Sequence, residues 1–351
     1  MANEQPKIKK ETKNTIKVEF ERAPLGERLK AKFLNGAFFK KVLFMIFKIV
    51  LLVGVSYVIL YPYITKIFGS FMSPSDFKDV TVVLISKNPT LDQYKYIITE
   101  NGYFQALLTT LLISVSVALV QTLVCALIAY GLSKFKFKGN TVVFIIVIVT
   151  MMIPLESLRY AIQRYFVRFH ESNPIGMVLY GLGLIEKGAM LNTVWPLYIM
   201  SITGLGLKNG LFIFMLRQFF KGVPDELEES AYVDGSNTFK TFFSIILPIS
   251  IPILVTVFIF SFAWQWTDEF FLGNTQLSVF FESTYWGKEG AMKLISHIAY
   301  TPKTLSGTKI AMYDSAIAGT ASILIVAPLI IIYLFVQNLI VEGVERSGIV
   351  G

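Results

Sequence analysis

The sequence predicts an all-α protein of six membrane-spanning helices, and three observations carry the prediction. Apolar residues make up 54% of the 351-residue chain and only 16% are charged. The mean hydropathy is +0.60. A soluble domain of this length closes its core with fewer apolar residues and keeps more charge on its surface. The apolar residues also fall into blocks of about 20, the length that crosses the hydrocarbon layer as a helix. Backbone amides facing lipid must be satisfied within their own segment, so each block is read as a helix.

The first block, near residues 42–64, follows a tail, 1–41, that holds eleven Lys/Arg and five Glu. Low hydrophobicity and high charge predict a disordered or loosely helical tail. Lys48 lies just inside the first span, where a long side chain reaches back to the interface. The second span is expected at 107–130. The basic loop Lys134-Phe135-Lys136-Phe137-Lys138-Gly139-Asn140 follows it. The third, 142–162, is purely apolar only to Leu155 and continues as an amphipathic segment with Arg159, Arg164 and Arg168 on its wetter face. The fourth is 194–216, the fifth 242–264 and the sixth 316–341, so the membrane domain covers 42–341.

Charge sets the orientation. With the N-terminus inside, the segments 1–41, 133–140, 217–241 and 342–351 carry 18 Lys/Arg, against 11 in the outer segments 70–103, 156–190 and 268–315. Both termini are therefore expected in the cytoplasm. The net charge of +8 is concentrated beside a span. It points to membrane lipid rather than nucleic acid. The first apolar block starts too late and runs too long for a cleavable signal. The single cysteine, Cys125, excludes an internal disulfide, and the two histidines, His170 and His297, are far apart in sequence. Glu156, Glu282 and Glu289 are scattered acids that form no paired-carboxylate or Ser/His/Asp constellation. An enzyme reading therefore has nothing to stand on.

The loop 217–241 differs from the others, with five acids against three bases. Pro224 suits a first helical position. Asp225, Glu226 and Glu228 suit the positive end of a helix dipole. Gly235 suits a left-handed helix stop, and Ser236 suits the cap of a following helix. Leu227 and Ala231 form one small apolar ridge. The expectation is a short helix, a turn and a second helix that feeds the fifth span.

This loop resembles that of the permease subunits of binding-protein-dependent ABC importers. Their pattern is Glu-Ala-Ala, three residues, Gly, nine residues, Ile, one residue and Leu-Pro. The chain has Glu229-Ser230-Ala231, Gly235, Ile245 and Leu247-Pro248 at those spacings, with Ser230 for the middle alanine. The resemblance extends to the carbohydrate branch and is similar to the smaller permease of the maltose transporter. It is carried by Pro89–Tyr94, Ala129–Lys134 with Phe137-Lys138-Gly139, Met151–Pro154, Leu216–Phe220 and Ser347–Gly351. Val350 stands where a lysine is usual.

The resemblance implies the type I ABC importer permease fold, a prokaryotic cell membrane, and half of a heterodimeric permease. It implies as partners a second, homologous permease subunit, two ATP-binding subunits and an extracellular solute-binding lipoprotein. Glu229, Ser230, Ala231, Asp234, Gly235, Leu247 and Pro248 would carry the contact with the ATPase. No cofactor is expected on this chain, which has no G-x-x-x-x-G-K-[ST] phosphate loop. ATP and magnesium would be held by the partner subunits. The implied cargo is a saccharide, an oligosaccharide or charged sugar included. The alternatives are another polar solute, such as glycerol phosphate or a polyamine, on the same machinery, or a membrane scaffold with no transport role.

Within the spans, Lys208 and Asn209 interrupt the fourth, roughly 13 Å of helical rise from Arg217, with Gly204, Gly206 and Gly210 around them. An ionisable group in a Gly-interrupted span points to a pathway. The competing reading is a lysine paired with a partner acid or capping freed carbonyls. Trp264 and Trp266 close the fifth span. Aromatic faces there suit sugar rings and equally suit an interfacial belt.

Overall fold

Apolar blocks separated by polar connections run along the chain, and in the computed structural model the described elements are helices joined by turns. The structure describes residues 36–268, 270–272, 292–299 and 311–346. The tail 1–35, Glu282 and Glu289, most of the outer segment 275–310 and the terminal Ser347–Gly351 lie outside the described residues.

The chain divides into two compact units, 1–64 and 65–351. Helix α1, Gly36–Gly69, is 34 residues long, starts before the expected 42 and continues past 64. Within the first unit, Tyr57 and Tyr61 pack with ring centroids 5.3 Å apart. Lys48 Nζ lies 5.6 Å from the Phe44 ring one turn earlier, so the lysine stem runs toward the helix start.

The second unit opens with α2, Asp92–Thr99, and α3, Tyr103–Lys134. Helix α3 packs against most of its neighbours. Its buried residues recur every three or four positions and are mostly small: Ala106, Thr110, Ser114, Ala118, Thr122, Ala126 and Ala129. Small side chains let helices approach where lipid supplies no hydrophobic drive between them. The helices that use this face are α8, Trp195–Ile202, α9, Asn209–Gly222, and α12, Ile251–Trp266. Helix α13, Ala311–Arg346, packs on α12 and α2. Gln93 on α2 staples this side. Its amide donates to the carbonyls of Gly69 and Met72, both at 2.9 Å. The Thr320 hydroxyl donates to Gln93 Oε1 at 2.7 Å.

Among the described residues three helical segments, Phe38–Gly69, Tyr103–Lys134 and Tyr313–Val341, are long and apolar enough to cross a bilayer singly. Two expected spans are bent pairs. The third is α4, Asn140–Met152, followed by α5, Leu155–Val167, at 105°. The break falls at Ile153-Pro154, where a residue preceding proline is pushed out of the helical region; Ile153 is extended, at ψ 120°. The fifth is α11, Thr238–Ile249, followed by α12 at 81°. The expected fourth span, 194–216, is divided into α8 and α9. Gly204 (φ +76°) and Lys208 (φ +62°) turn the chain between them. These segments are compatible with six crossings, although only half of them are unbroken helices. Between α5 and α8 lie the short helices α6, Phe169–Ser172, and α7, Pro174–Gly181. Helix α13 runs on to Arg346, so the first five residues of the expected 342–351 tail are helical.

Candidate functional site: an anchored helix and a cavity at a broken span

Helix α10, Glu226–Val233, joins α9 to α11. It starts two residues after Pro224, which is therefore not its first helical residue; Asp225 is the N-cap. Three acids, Glu226, Glu228 and Glu229, occupy its first turn, where the exposed N–H groups favour negative charge. Its end is a Schellman stop. The Ser236 N–H donates to the Ala231 carbonyl at 2.9 Å and the Gly235 N–H to that of Tyr232 at 3.0 Å, with Gly235 left-handed at φ +78°. The next helix is capped by Asn237 rather than Ser236. Asn237 Oδ1 accepts the Lys240 N–H at 2.8 Å.

One face of α10 is fixed to the bundle. Glu228 and Ala231, three residues apart, are buried. Glu228 Oε2 accepts the Tyr130 hydroxyl at 3.0 Å, and Glu228 Oε1 lies 3.4 Å from Lys134 Nζ. The same ammonium donates to Asp225 Oδ1 at 2.5 Å and to the Val223 carbonyl at 2.6 Å. Its hydrogen bond and charge hold the Asp225 carboxyl below the ordinary carboxylate range. The Tyr130 ring is a hub between both flanking segments, 5.9 Å from Phe220 and 4.9 Å from Phe242.

The other face of α10 is bare. Glu229, Ser230 and Asp234 are exposed. Val233 is 87% exposed and Phe239, just beyond, 72%. The expected ridge of Leu227 and Ala231 does not form, because Ala231 is turned inward and Leu227 is outside. Of the exposed apolar residues here, Leu227 is the one the sequence singles out, as half of that ridge; Val233 and Phe239 are not singled out from the sequence. Leu247 and Pro248 lie in the connection to the bundle. Pro248 has no N–H to donate, and the turn before it widens, with the Leu247 N–H reaching the Phe242 carbonyl in a π-helical turn.

The second feature is a cavity of about 460 Å³ between the break in the third expected span and the break in the fourth. Lys208, Asn209, Glu156 and Pro154 are among its lining residues. Gly210 lies against α4, where a Cβ would stand 3.1 Å from the Val147 carbonyl oxygen. Any side chain there would push the two helices apart. Asn209 is 1% exposed, and both polar atoms of its carboxamide lack a hydrogen-bond partner. A buried amide left this way costs on the order of 1–3 kcal/mol unless something polar meets it. The exposed Lys208 ammonium sits 4.7 Å from the centre of the Trp264 ring. Lys208, Asn209 and Trp264 are thus brought together. Trp266 is not. It is buried on the opposite side of α12, and its indole N–H donates to the Ile325 carbonyl at 2.9 Å. Residues two apart on a helix point roughly 200° apart, so the two tryptophans cannot line one path.

Comparisons with known proteins agree with this architecture. The family described as "Binding-protein-dependent transport system inner membrane component" matches residues 121–346. The alpha-glucoside transport system permease protein AglG of Rhizobium meliloti (strain 1021) is 34% identical over 180 residues, 51% of this chain and 43% of that protein. The polygalacturonan/rhamnogalacturonan transport system permease protein YtcP of Bacillus subtilis (strain 168) is 24% identical over 296 residues, 83% of this chain and 92% of the relative. The galactooligosaccharides transport system permease protein GanQ of the same organism is 26% identical over 310 residues, 88% and 96% of the two chains. Among solved structures, a bacterial ABC transporter involved in the import of the acidic polysaccharide alginate has a chain of like fold. It superposes with TM-score 0.60 at 18% identity, covering 85% of this chain and 97% of the other.

Proposed function

Because this chain belongs to the family of binding-protein-dependent transport system inner membrane components, we propose that it is the permease half that carries a saccharide through a membrane under the drive of ATP-hydrolysing partner subunits. In this reading α10 is the lever. The observation that carries it is the division of that helix into a fixed face, Glu228 and Ala231 locked to Tyr130 and Lys134, and a bare face of Leu227, Glu229, Ser230 and Val233. A movement applied to the bare face is delivered through buried contacts to α3 and, through Phe220 and Phe242, to the two helices that flank the loop.

The saccharide rests on the names of the relatives, among them transport system permeases for alpha-glucoside, galactooligosaccharides and polygalacturonan/rhamnogalacturonan. The cavity wall supplies matching chemistry: the Asn209 carboxamide, buried and without a partner, would bond a hydroxyl once a movement uncovers it, and Lys208 offers a cation for a carboxylate or sulfate if the sugar carries one. A second permease subunit, two ATPase subunits on the cytoplasmic side, which hold ATP and magnesium, and an external binding protein complete the proposed assembly. Both termini of this chain face the cytoplasm.

The test is reconstitution. The chain is placed in proteoliposomes with a second permease subunit, ATPase subunits and a binding protein, and uptake of labelled oligosaccharides is followed with and without internal ATP. ATP-dependent accumulation supports the reading. ATP-independent equilibration, or accumulation of a non-sugar solute alone, rejects it.

A further inference from the structure

The basic loop between α3 and α4 borders an open cleft of about 520 Å³ whose lining includes Lys136, Lys138, Arg217 and Lys221 and no acid. Arg217 is 8% exposed. Its Nε donates to the Leu132 carbonyl at 3.2 Å, and its guanidinium lies 3.7 Å from the centre of the Phe144 ring. Among the described residues no carboxylate stands within ion-pair distance of any of the four cations. The carboxylates of the neighbouring loop, Asp225 and Glu228, are held by Lys134, and Lys136 adds only a longer-range attraction to Asp225. A buried charge without a counter-ion is costly. Four cations around one cleft, one of them nine-tenths buried, call for an anion with several acceptor oxygens.

The wall beside the cleft says which anion. Helix α4 begins at Asn140, a lining residue, and is apolar with no buried side chain; Val142, Ile145 and Ile146 are each more than half exposed. Phe135 and Phe137, between the lysines, are 44% and 47% exposed. A carboxylate from a protein partner would meet the lysines but would leave the aliphatic flank of α4 uncovered. A lipid meets both, with its phosphate in the cleft and its chains along α4. We propose that the cleft of Arg217, Lys136, Lys138 and Lys221 binds the phosphate of an anionic phospholipid. Basic pockets at the ends of membrane helices are suited to such headgroups.

The experiment is native mass spectrometry of the full-length chain in neutral detergent, titrated with dioleoylphosphatidylglycerol or dioleoylphosphatidylcholine, with inorganic phosphate in excess as a third arm. The exposed lysines are changed singly and together (Lys136→Gln, Lys138→Gln, Lys221→Gln), which leaves the buried Arg217 and the fold in place. Selective retention of phosphatidylglycerol is expected, falling by about fivefold for each lysine removed. Equal retention of the two lipids, or retention unchanged in the triple variant, overturns the proposal. Full displacement by phosphate alone marks a free-anion site and overturns the lipid assignment.

Discussion

Lys134 Nζ lies 2.5 Å from Asp225 Oδ1 and 3.4 Å from Glu228 Oε1, so one ammonium at the end of α3 ties both the cap and the first turn of α10. Lys134 and Glu228 side chains are 7% and 8% exposed. Removing the lysine leaves a buried carboxylate with the Tyr130 hydroxyl but no counter-ion, which costs on the order of 3 kcal/mol. Lys134→Ala is expected to lower the melting temperature of the detergent-solubilised chain, and Lys134→Ala with Glu228→Gln to recover most of the loss. In the reconstituted complex Lys134→Ala should reduce sugar moved per ATP hydrolysed, with Lys134→Arg restoring the ratio. An unchanged ratio would reduce the contact to a purely structural one.

Glu229 is exposed and makes no contact that would fix the fold. Glu229→Lys is therefore expected to change stability by less than about 0.5 kcal/mol while abolishing ATP-driven uptake. Gly235 separates two effects. A Cβ there meets nothing within 4 Å, so Gly235→Ala costs only its left-handed backbone, about 1 kcal/mol. Gly235→Pro cannot adopt φ +78° at all, and uptake should be lost with the protein still in the membrane. Thermal melts and uptake assays on the same preparations distinguish these outcomes.

The Lys208 ammonium over Trp264 contributes about 0.5–1 kcal/mol at this partly exposed site. Lys208→Ala and Trp264→Ala are expected to have little effect on melting and to raise the KM for uptake, with Asn209→Ala acting in the same direction. Trp266→Ala should behave oppositely, since it empties a packed site beside α13. A loss on the order of 3 kcal/mol is expected there. Paired melting and uptake measurements on the four variants check the separation.

His297 is buried, and its Nε2–H donates to the Leu272 carbonyl at 3.0 Å. Burial pushes its pKa down to about 4, only partly offset by that hydrogen bond. The folded state thus prefers the neutral ring more than the unfolded chain does. The stabilisation is complete above the unfolded value near 6.5 and is lost as pH falls toward about 4, an effect on the order of 3 kcal/mol. Melting temperature measured between those limits should fall with pH, and His297→Gln should flatten the slope.

Continuous apolar runs made α3 and α13 legible in the sequence, because nothing in them breaks helical continuity except Pro328, which α13 accommodates. Only the end residues moved, since frayed turns outside the hydrocarbon have no hydropathy signal. The bends were partly legible. Pro154 marks the break after α4, but its angle depends on how α5 packs. In the fourth expected span the glycines signalled an interruption. That Lys208 itself would turn left-handed was not legible, because a lysine gains such a conformation only from the surrounding packing. The motif Glu229–Pro248 is legible through its resemblance to the family's loop, and Gly235 has the left-handed geometry expected of a glycine that stops a helix. Which face of α10 turns inward was decided by Tyr130 and Lys134, almost a hundred residues earlier, and no local pattern contains that. That Trp264 and Trp266 face different sides of α12 was legible. Two residues apart on a helix are on opposite sides, and the sequence stated that spacing.

The lever role of α10 is tested most directly by a cross-link from its bare face. The only native cysteine, Cys125, is buried, so Ser230→Cys places the one accessible thiol on α10. The account predicts that this thiol reacts with a membrane-impermeant maleimide only in inside-out vesicles, and that a short bifunctional reagent joins it to an ATP-hydrolysing subunit. Labelling from the outer face of intact cells, or recovery of the chain with no cross-linked ATPase, would contradict it.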